Sequence, residues 1–339
     1  MVPVKEEQIR MAHGAGGRLS RLLVEEVIRP YFSNEVLDVM HDAALLPHQE
    51  GRLAFTTDSY VVKPLFFPGG DIGRLAVCGT VNDLAVSGAK PLYLSMALVL
   101  EEGLSLVTLR RVLASMAQAA KEAGILIVTG DTKVVERGAV DGLFINTAGV
   151  GVVPGGRDVT ARRAKAGQHI LISGFLGDHA LAVMAERHGL TLPEAVRSDC
   201  APLAAMLQEV LDEVPQVAVL RDPTRGGLAT TLQEIAAQGG VSMELDEALL
   251  PVRTEVKAAC DLLGFHPLYM ANEGKCLLLV EPEDSEMVLH ILQKHAQGRD
   301  ACRIGNVTNG MEGKVSIRTL IGGIRLLAQL EGDQLPRIC

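Results

Sequence analysis

Four aspartates stand in local sequences that give a carboxylate something to hold. Asp42 lies in MHDAAL, Asp58 in the strand-like LAFTTD, Asp83 in DIGRLAVCGTVNDLAVSGA, and Asp222 just ahead of PTRGGLATTL. Written as a helix, the third segment puts Ile72, Leu75, Ala76, Gly79, Asp83 and Val86 on one face. A carboxylate on so apolar a stripe needs a cation or several donors to offset its lost hydration, and a neighbouring backbone or Arg would serve as well as a metal. After Asp222, Thr224 is the expected N-cap, and Gly226-Gly227 lets backbone approach an anion where a helix begins. ILIVTGDTK delivers Gly130, Asp131, Thr132 and Lys133 at the carboxyl end of an apolar strand, where α/β sheets seat ligands. Singly these are ordinary turn chemistry. Together they read as oxygen ligands for Mg²⁺ carrying a polyphosphate, a cation that favours a few carboxylates plus phosphate oxygens. Neither GxxxxGK[ST] nor GxGxxG occurs, so a nucleotide must be gripped in another way.

The elements that position these groups are α/β in rhythm. RLAFTTD, LYLSMALVLE, ILIVTGD and LFINTAGVGVV read as strands, alternating with helices near 71–88 and 105–123. A turn at VVPGGRD precedes a second series with strands at HILISG, VAVL, CLLLVE and CRIGNV. The expected division is a domain over 1–155, another over 156–330, and a flexible tail over 331–339. Two domains of roughly 150 residues suit a chain of 339.

Composition narrows the function classes. A net charge of −9 without a basic cluster, and only 3% aromatic residues, argue against a nucleic-acid surface. No apolar run reaches the ~18 residues of a membrane span, and MVPVKEEQIRMAHGAGG lacks the layout of a signal peptide. Six cysteines, none in a CxxC or zinc-ligand spacing, suit a reducing cytoplasm. The sequence closes on one of them, Cys339, in DQLPRIC. Ten extended residues before it would reach at most roughly 33–36 Å, with Pro336 stiffening the end.

HDAAL, TTDSYVVKP, GTVNDLAVSGA, GDTK, FINTAGVG and RDPTRGGLA resemble the ATP-binding motifs of the AIR-synthetase-like superfamily. Within it, HGAGG, ANEGK and the closing PRIC resemble the HypE family of hydrogenase-maturation carbamoyl dehydratases. The resemblance spans nearly the whole chain. It implies a ferredoxin-like N-terminal domain that pairs with its twin in a homodimer, an α/β C-terminal domain, and ATP in the cleft between. It further implies Asp42, Asp58, Asp83 and Asp222 as holders of magnesium and phosphates, with Gly130, Thr132 and Asn146 also at the nucleotide. Asp131 and Lys133 would act near the γ-phosphate, and Lys63 would match an Asp-x-x-x-x-Lys element. A selenophosphate synthetase of the same superfamily would be expected to carry a reactive Cys or selenocysteine near its start, and this chain has no cysteine before Cys78.

The activity implied is dehydration of a carbamoyl group on Cys339 to a thiocyanate at the cost of ATP, supplying cyanide to a [NiFe]-hydrogenase iron. The implied partners are the carbamoyltransferase HypF and a HypC–HypD scaffold as cyanide acceptor. Glu273 is the expected base, in a loop entering an apolar strand where desolvation would raise its pKa. Asn272 beside it is expected to orient the amide, and His13 is read as a loop residue. Two other readings remain open at this level: a nucleotide-gated scaffold whose tail only docks, and a kinase or synthetase with a free substrate.

Overall fold

The computed structural model describes residues 8–194, 196–330, 332 and 337–339. Much of the expected tail, Pro336 included, therefore lies outside the described residues.

A short helix α1 (Arg18–Leu22) precedes the first unit. That unit comprises strand β1 (Arg52–Tyr60), a hairpin of β2 (Phe66–Phe67) and β3 (Gly70–Asp71), helix α2 (Ile72–Val86), β4 (Lys90–Glu101), helix α3 (Leu106–Ala123), β5 (Leu126–Val135) and β6 (Leu143–Val153). Its main sheet has the order β1-β6-β4-β5, with β4 and β5 parallel and β6 antiparallel to its neighbours. The layering is that of a ferredoxin-like unit, two helices and a four-stranded sheet. The succession is β-α-β-α-β-β, however, in place of the β-α-β-β-α-β of that fold. The helical crossover from β4 through α3 to β5 makes those two strands parallel, which a hairpin could not do.

Alternation of side chains sets one face of the sheet inward: along β6, Leu143, Ile145 and Thr147 are buried while Phe144, Asn146 and Ala148 are half-buried. Helix α3 starts at Ser105, whose side chain accepts from Val107 N, and stops at Gly124 in the left-handed conformation. Helix α2 is capped by Asp71, whose Oδ1 accepts from Gly73 N at 2.7 Å and Arg74 N at 3.0 Å. It is buried on nearly every side, because it lies between the four-stranded sheet and the second unit.

The second unit contains β7 (His169–Ile172), α4 (Asp178–Arg187), α5 (Ala204–Glu213), β8 (Val219–Arg221), α6 (Gly227–Gly239), β9 (Ser242–Asp246), α7 (Thr254–Leu263), β10 (Leu277–Val280), α8 (Ser285–Lys294), β11 (Cys302–Thr308), β12 (Val315–Arg318) and β13 (Ile324–Leu326). Its sheet runs β13-β12-β9-β11-β7-β10-β8, antiparallel except where β12 meets β9. Strand β10 is buried along its whole length, as its unbroken apolar run requires.

Asn82 on α2 ties the units together. Its Nδ2 donates to Ala201 O at 3.0 Å and Glu273 O at 3.4 Å, and its Oδ1 accepts from Leu203 N at 2.8 Å. All this happens at 1% exposure, where water cannot replace a lost partner. Asn82→Ala should therefore lower stability by about 2–3 kcal/mol in urea unfolding. A loss below about 0.5 kcal/mol, the scale of an ordinary surface change, would show that the clamp is idle.

Candidate functional site

Three of the four aspartates converge on the seam between the units. Asp83 Oδ2 accepts from Thr56 Oγ1 on β1 at 3.0 Å, and Asp58 Oδ2 accepts from Thr80 Oγ1 on α2 at 3.0 Å. These two bonds cross-link β1 and α2 at the carboxylates themselves. Asp83 and Asp222 line a polar cleft of about 660 Å³ with Thr56, Thr224, Arg225 and Glu234. β1 runs on through Asp58 to Tyr60, so the aspartate is within the strand and not at its end.

Electrostatics bind the cluster together. Burial, then Asp222, then Asp58 push the Asp83 carboxyl up to about 7. Burial also raises Asp222, to about 6, with Asp58 adding to it. Glu273 is 4% exposed, and its pKa lies well above the ordinary value, from burial and then from Asp222, Asp199, Asp58 and Asp83. Burial, then Asp58, Glu273 and Asp83, drive the Tyr60 hydroxyl well above its usual range. Among the described residues no three His, Cys, Asp or Glu side chains already form a cage for a metal ion. The donors are hard oxygens crowded by like charge, the arrangement expected of a cation site completed by a ligand's own phosphates.

The loops deliver these groups with backbone that tolerates no substitute. Gly226 and Gly227 both have positive φ, at 73° and 61°, and α6 begins only at Gly227. Gly226, not Thr224, therefore occupies the N-cap position, the left-handed pair having delayed the helix by two residues. A Cβ on Gly274 would stand 1.8 Å from Asp199 O, so only glycine lets the Glu273 loop seat there. Glu273 N donates to Asp199 Oδ1 at 3.0 Å, and Lys275 Nζ lies 3.6 Å from Asp199 Oδ2.

Other expected residues lie elsewhere. Asp42, Gly130, Asp131, Thr132 and Lys133 line a separate cavity of about 910 Å³ with His13 and Arg21. That cavity is at the β5 edge of the sheet, three strand spacings or roughly 14 Å from β1. The GDTK residues are within β5, which runs on to Val135, and not in a turn after it. His13 is buried, its Nδ1 accepting from Arg10 N at 2.9 Å. Asn146 on β6 braces β1, donating to Asp58 O at 2.8 Å and Ser59 Oγ at 3.0 Å.

Two assignments change. Asn272 is wholly buried, and its side chain is already committed to Gly177 N, Pro223 O and Met270 O. It pins the Asp222 loop to the Glu273 loop and has no donor left to orient an amide. Lys63 pairs with Asp141, Nζ to Oδ1 at 2.7 Å, away from the acid cleft.

Cys339 lines a pocket of about 200 Å³ with Ser59, Val61, Ala271 and Arg225, and Arg225 also lines the acid cleft. The last residues are thus seated beside the carboxylates. Asp141 and Arg187 hold Arg337 and His179 holds Ile338 in this seat, contacts between positions more than a hundred residues apart that nothing local in the sequence signals.

Raised pKa values fix a sign. The folded state holds protons on Asp83 and Asp222 more tightly than the unfolded chain, so their contribution to stability is full below about 4 and lost as pH rises through about 6 and about 7. Melting of the nucleotide-free protein should weaken across that window, and Asp83→Asn should flatten its upper part and raise the melting temperature at pH ~8. Unchanged pH dependence in the variant would detach Asp83 from the cluster.

Residues 40–153 match the family model for the AIR synthase related protein N-terminal domain, and 165–318 match its C-terminal domain. The carbamoyl dehydratase HypE of Cupriavidus necator is 50% identical over 337 residues, covering 99% of this chain and 96% of that protein. A crystal structure of the hydrogenase maturation protein HypE in complex with ATP superposes with a TM-score of 0.94 at 48% identity, covering 97% of this chain and 99% of that one. A HypE–HypF complex gives a TM-score of 0.80 at 48% identity, covering 91% and 99%. No helix among the described residues is long and apolar enough to cross a membrane. Two matched domains, near-complete mutual coverage and half of all residues in common make this chain a member of the HypE family of AIR-synthase-related proteins.

Proposed function

We propose that this chain dehydrates a carbamoyl group borne on its own Cys339 thiol, using ATP, to yield the thiocyanate from which a hydrogenase iron receives cyanide. The observation that carries the reading is the seat of Cys339 in a pocket sharing Arg225 with the acid cleft. A free-substrate kinase would have no use for a cysteine there.

The chemical obstacle is that a carboxamide oxygen does not leave unaided. Attack of that oxygen on the γ-phosphorus releases ADP and converts the oxygen into part of a phosphate leaving group. One nitrogen proton passes to Glu273, the second departs with the phosphate, and carbon and nitrogen are left triply bonded. Glu273 suits the base because burial strengthens its hold on a proton. Most of the rate enhancement then comes from positioning and charge. Magnesium held by Asp58, Asp83 and Asp222 would neutralise the phosphates and the crowded carboxylates together. Asp42, Asp131 and Lys133 are proposed to act at the γ-phosphoryl end.

Those three residues stand at the far edge of the sheet, and the face between carries Leu53 and Phe55 at 71% and 72% exposure. Homodimerisation through this face would cover them, and a two-fold axis setting β1 of one copy against β5 of the other would join the two half-sites. HypF is the proposed carbamoyl donor, supported by the complex of a relative. HypC–HypD is the proposed acceptor and the cytoplasm the setting, in line with buried thiols at Cys78, Cys200, Cys260 and Cys276.

In intact-mass analysis, protein carbamoylated at Cys339 should lose one water when ATP is added, and Glu273→Gln should retain the carbamoyl form. A carbamoylated wild-type chain that persists with ATP would defeat the assignment. Subunit exchange tests the pairing: Asp83→Asn and Lys133→Ala homodimers should each be inactive, and an equal mixture should regain roughly a quarter of wild-type turnover, since half the dimers are mixed and each keeps one intact site. No recovery would place both residues in one subunit's site.

A further inference from the structure

Arg337 and the Ile338 and Cys339 carbonyls are each held by contacts that do not involve the thiol. The last three residues lie antiparallel to 61–63, with Val61 N donating to Cys339 O at 3.2 Å and Lys63 N to Arg337 O at 3.5 Å. The tail thus runs beside the continuation of β1 without becoming a strand, since Arg337 turns through the left-handed region at a φ of 57°. Arg187 Nη2 donates to Arg337 O at 2.6 Å and its Nε to Lys63 O at 2.9 Å, so one guanidinium spans both chains. His179 Nε2 donates to Ile338 O at 3.0 Å while its Nδ1 accepts from Ser198 Oγ at 2.8 Å. Burial lowers the His179 pKa, which keeps the ring neutral and preserves that tautomer.

Among these contacts, side-chain recognition is concentrated on Arg337. Its Nε and Nη2 donate to Val61 O at 3.1 and 3.0 Å, its Nη1 pairs with Asp141 Oδ2, and it stands 5.6 Å from the Phe144 ring centroid. Asp141 is shared: its other oxygen takes Lys63 Nζ at 2.7 Å. The two cations hold its carboxyl below the usual range. When the tail departs, Lys63 can remain, so Asp141 is never stranded without a cation. All three side chains are at least a third exposed, which keeps the pairing weak and sensitive to salt.

We propose that Asp141, Lys63, Arg187 and His179 form a reversible latch that recognises Arg337 as the address of the tail and seats Cys339 in the cleft whatever its thiol carries. These are positioning residues, and the inference rests on the reading of Cys339 as the carrier of the reacting group. A cargo-blind latch fits a tethered reactant that must dock while carbamoylated and leave while cyanated.

The test is the rate at which iodoacetamide alkylates Cys339 in the full chain, read from the mass of the C-terminal peptide. It needs neither ATP nor carbamoyl group, so the latch and the dehydratase can fail separately. Asp141→Asn and Arg337→Gln should each speed alkylation about fivefold, the double variant should be no faster than either single, and Asp141→Glu should restore slow labelling. Salt at ~1 M should bring wild type close to Asp141→Asn. Single-variant rates within about twofold of wild type, or single effects that multiply in the double variant, would overturn the latch.

Discussion

Carboxylate crowding at the seam is the constraint around which the rest is arranged. Asp58, Asp83, Asp222 and Glu273 come from a strand, a helix and two loops of different units, yet all three aspartates raise the pKa of Glu273, and Asp58 also raises those of Asp83 and Asp222. Such repulsion would ordinarily push the units apart. It is contained by short polar ties that approach from the sides: Thr56 on Asp83, Thr80 on Asp58, and Asn82 and Asn272 on the loop backbones. The protein supplies hydroxyl and amide dipoles there, with Arg221 and Arg225 among the side chains lining the cleft. Crowding of this kind suits the magnesium-bound polyphosphate proposed for the site, since neutralisation would relieve the repulsion.

β1 couples that chemistry to delivery of the tail. Its inward residues Thr56, Asp58 and Tyr60 reach the acids and α2, and its outward residues Leu53 and Phe55 form the open face. Its continuation over 61–63 holds the last three residues by two backbone hydrogen bonds. A rigid element carrying three functions in register fixes the distance between them better than three loops could. Asn146, reaching across from β6 to Asp58 O and Ser59 Oγ, braces the stretch where the functions meet.

Period and capping made much of the fold legible. α3 shows both its Ser105 start and its Gly124 stop in the sequence, and β6 alternates cleanly. β9 and β12 alternate over only five and four residues, too few for a period to stand out, and β13 exposes all three of its residues. At the site, an acid on an apolar helix stripe singled out Asp83, because burying charge is costly enough to need a reason, and the fold brings it near Asp58 and Asp222. Asn272 misled for the opposite reason: a polar residue beside a base looks reactive until its hydrogen bonds are counted. The pairing of Asp141 with Lys63 and Arg337 could not be read at all, since an ion pair between residue 141 and residue 337 leaves no local pattern in either.

The separation of Lys133 and Asp131 from the acid cluster has a functional logic in the proposed pair. A single chain holds the acids and the tail seat but keeps its β5-edge groups roughly three strand spacings away. A nucleotide entering that cleft would meet Mg²⁺ ligands without the cationic side chain proposed for the γ-phosphoryl end, and so would be bound without being strongly activated toward water. Activation would require the second subunit, and transfer to the intended oxygen would require a seated tail to displace water from the pocket beside Arg225. In the proposed pair, a site divided between sheet edges β1 and β5 would make ATP consumption conditional on assembly and on the presence of the reactant.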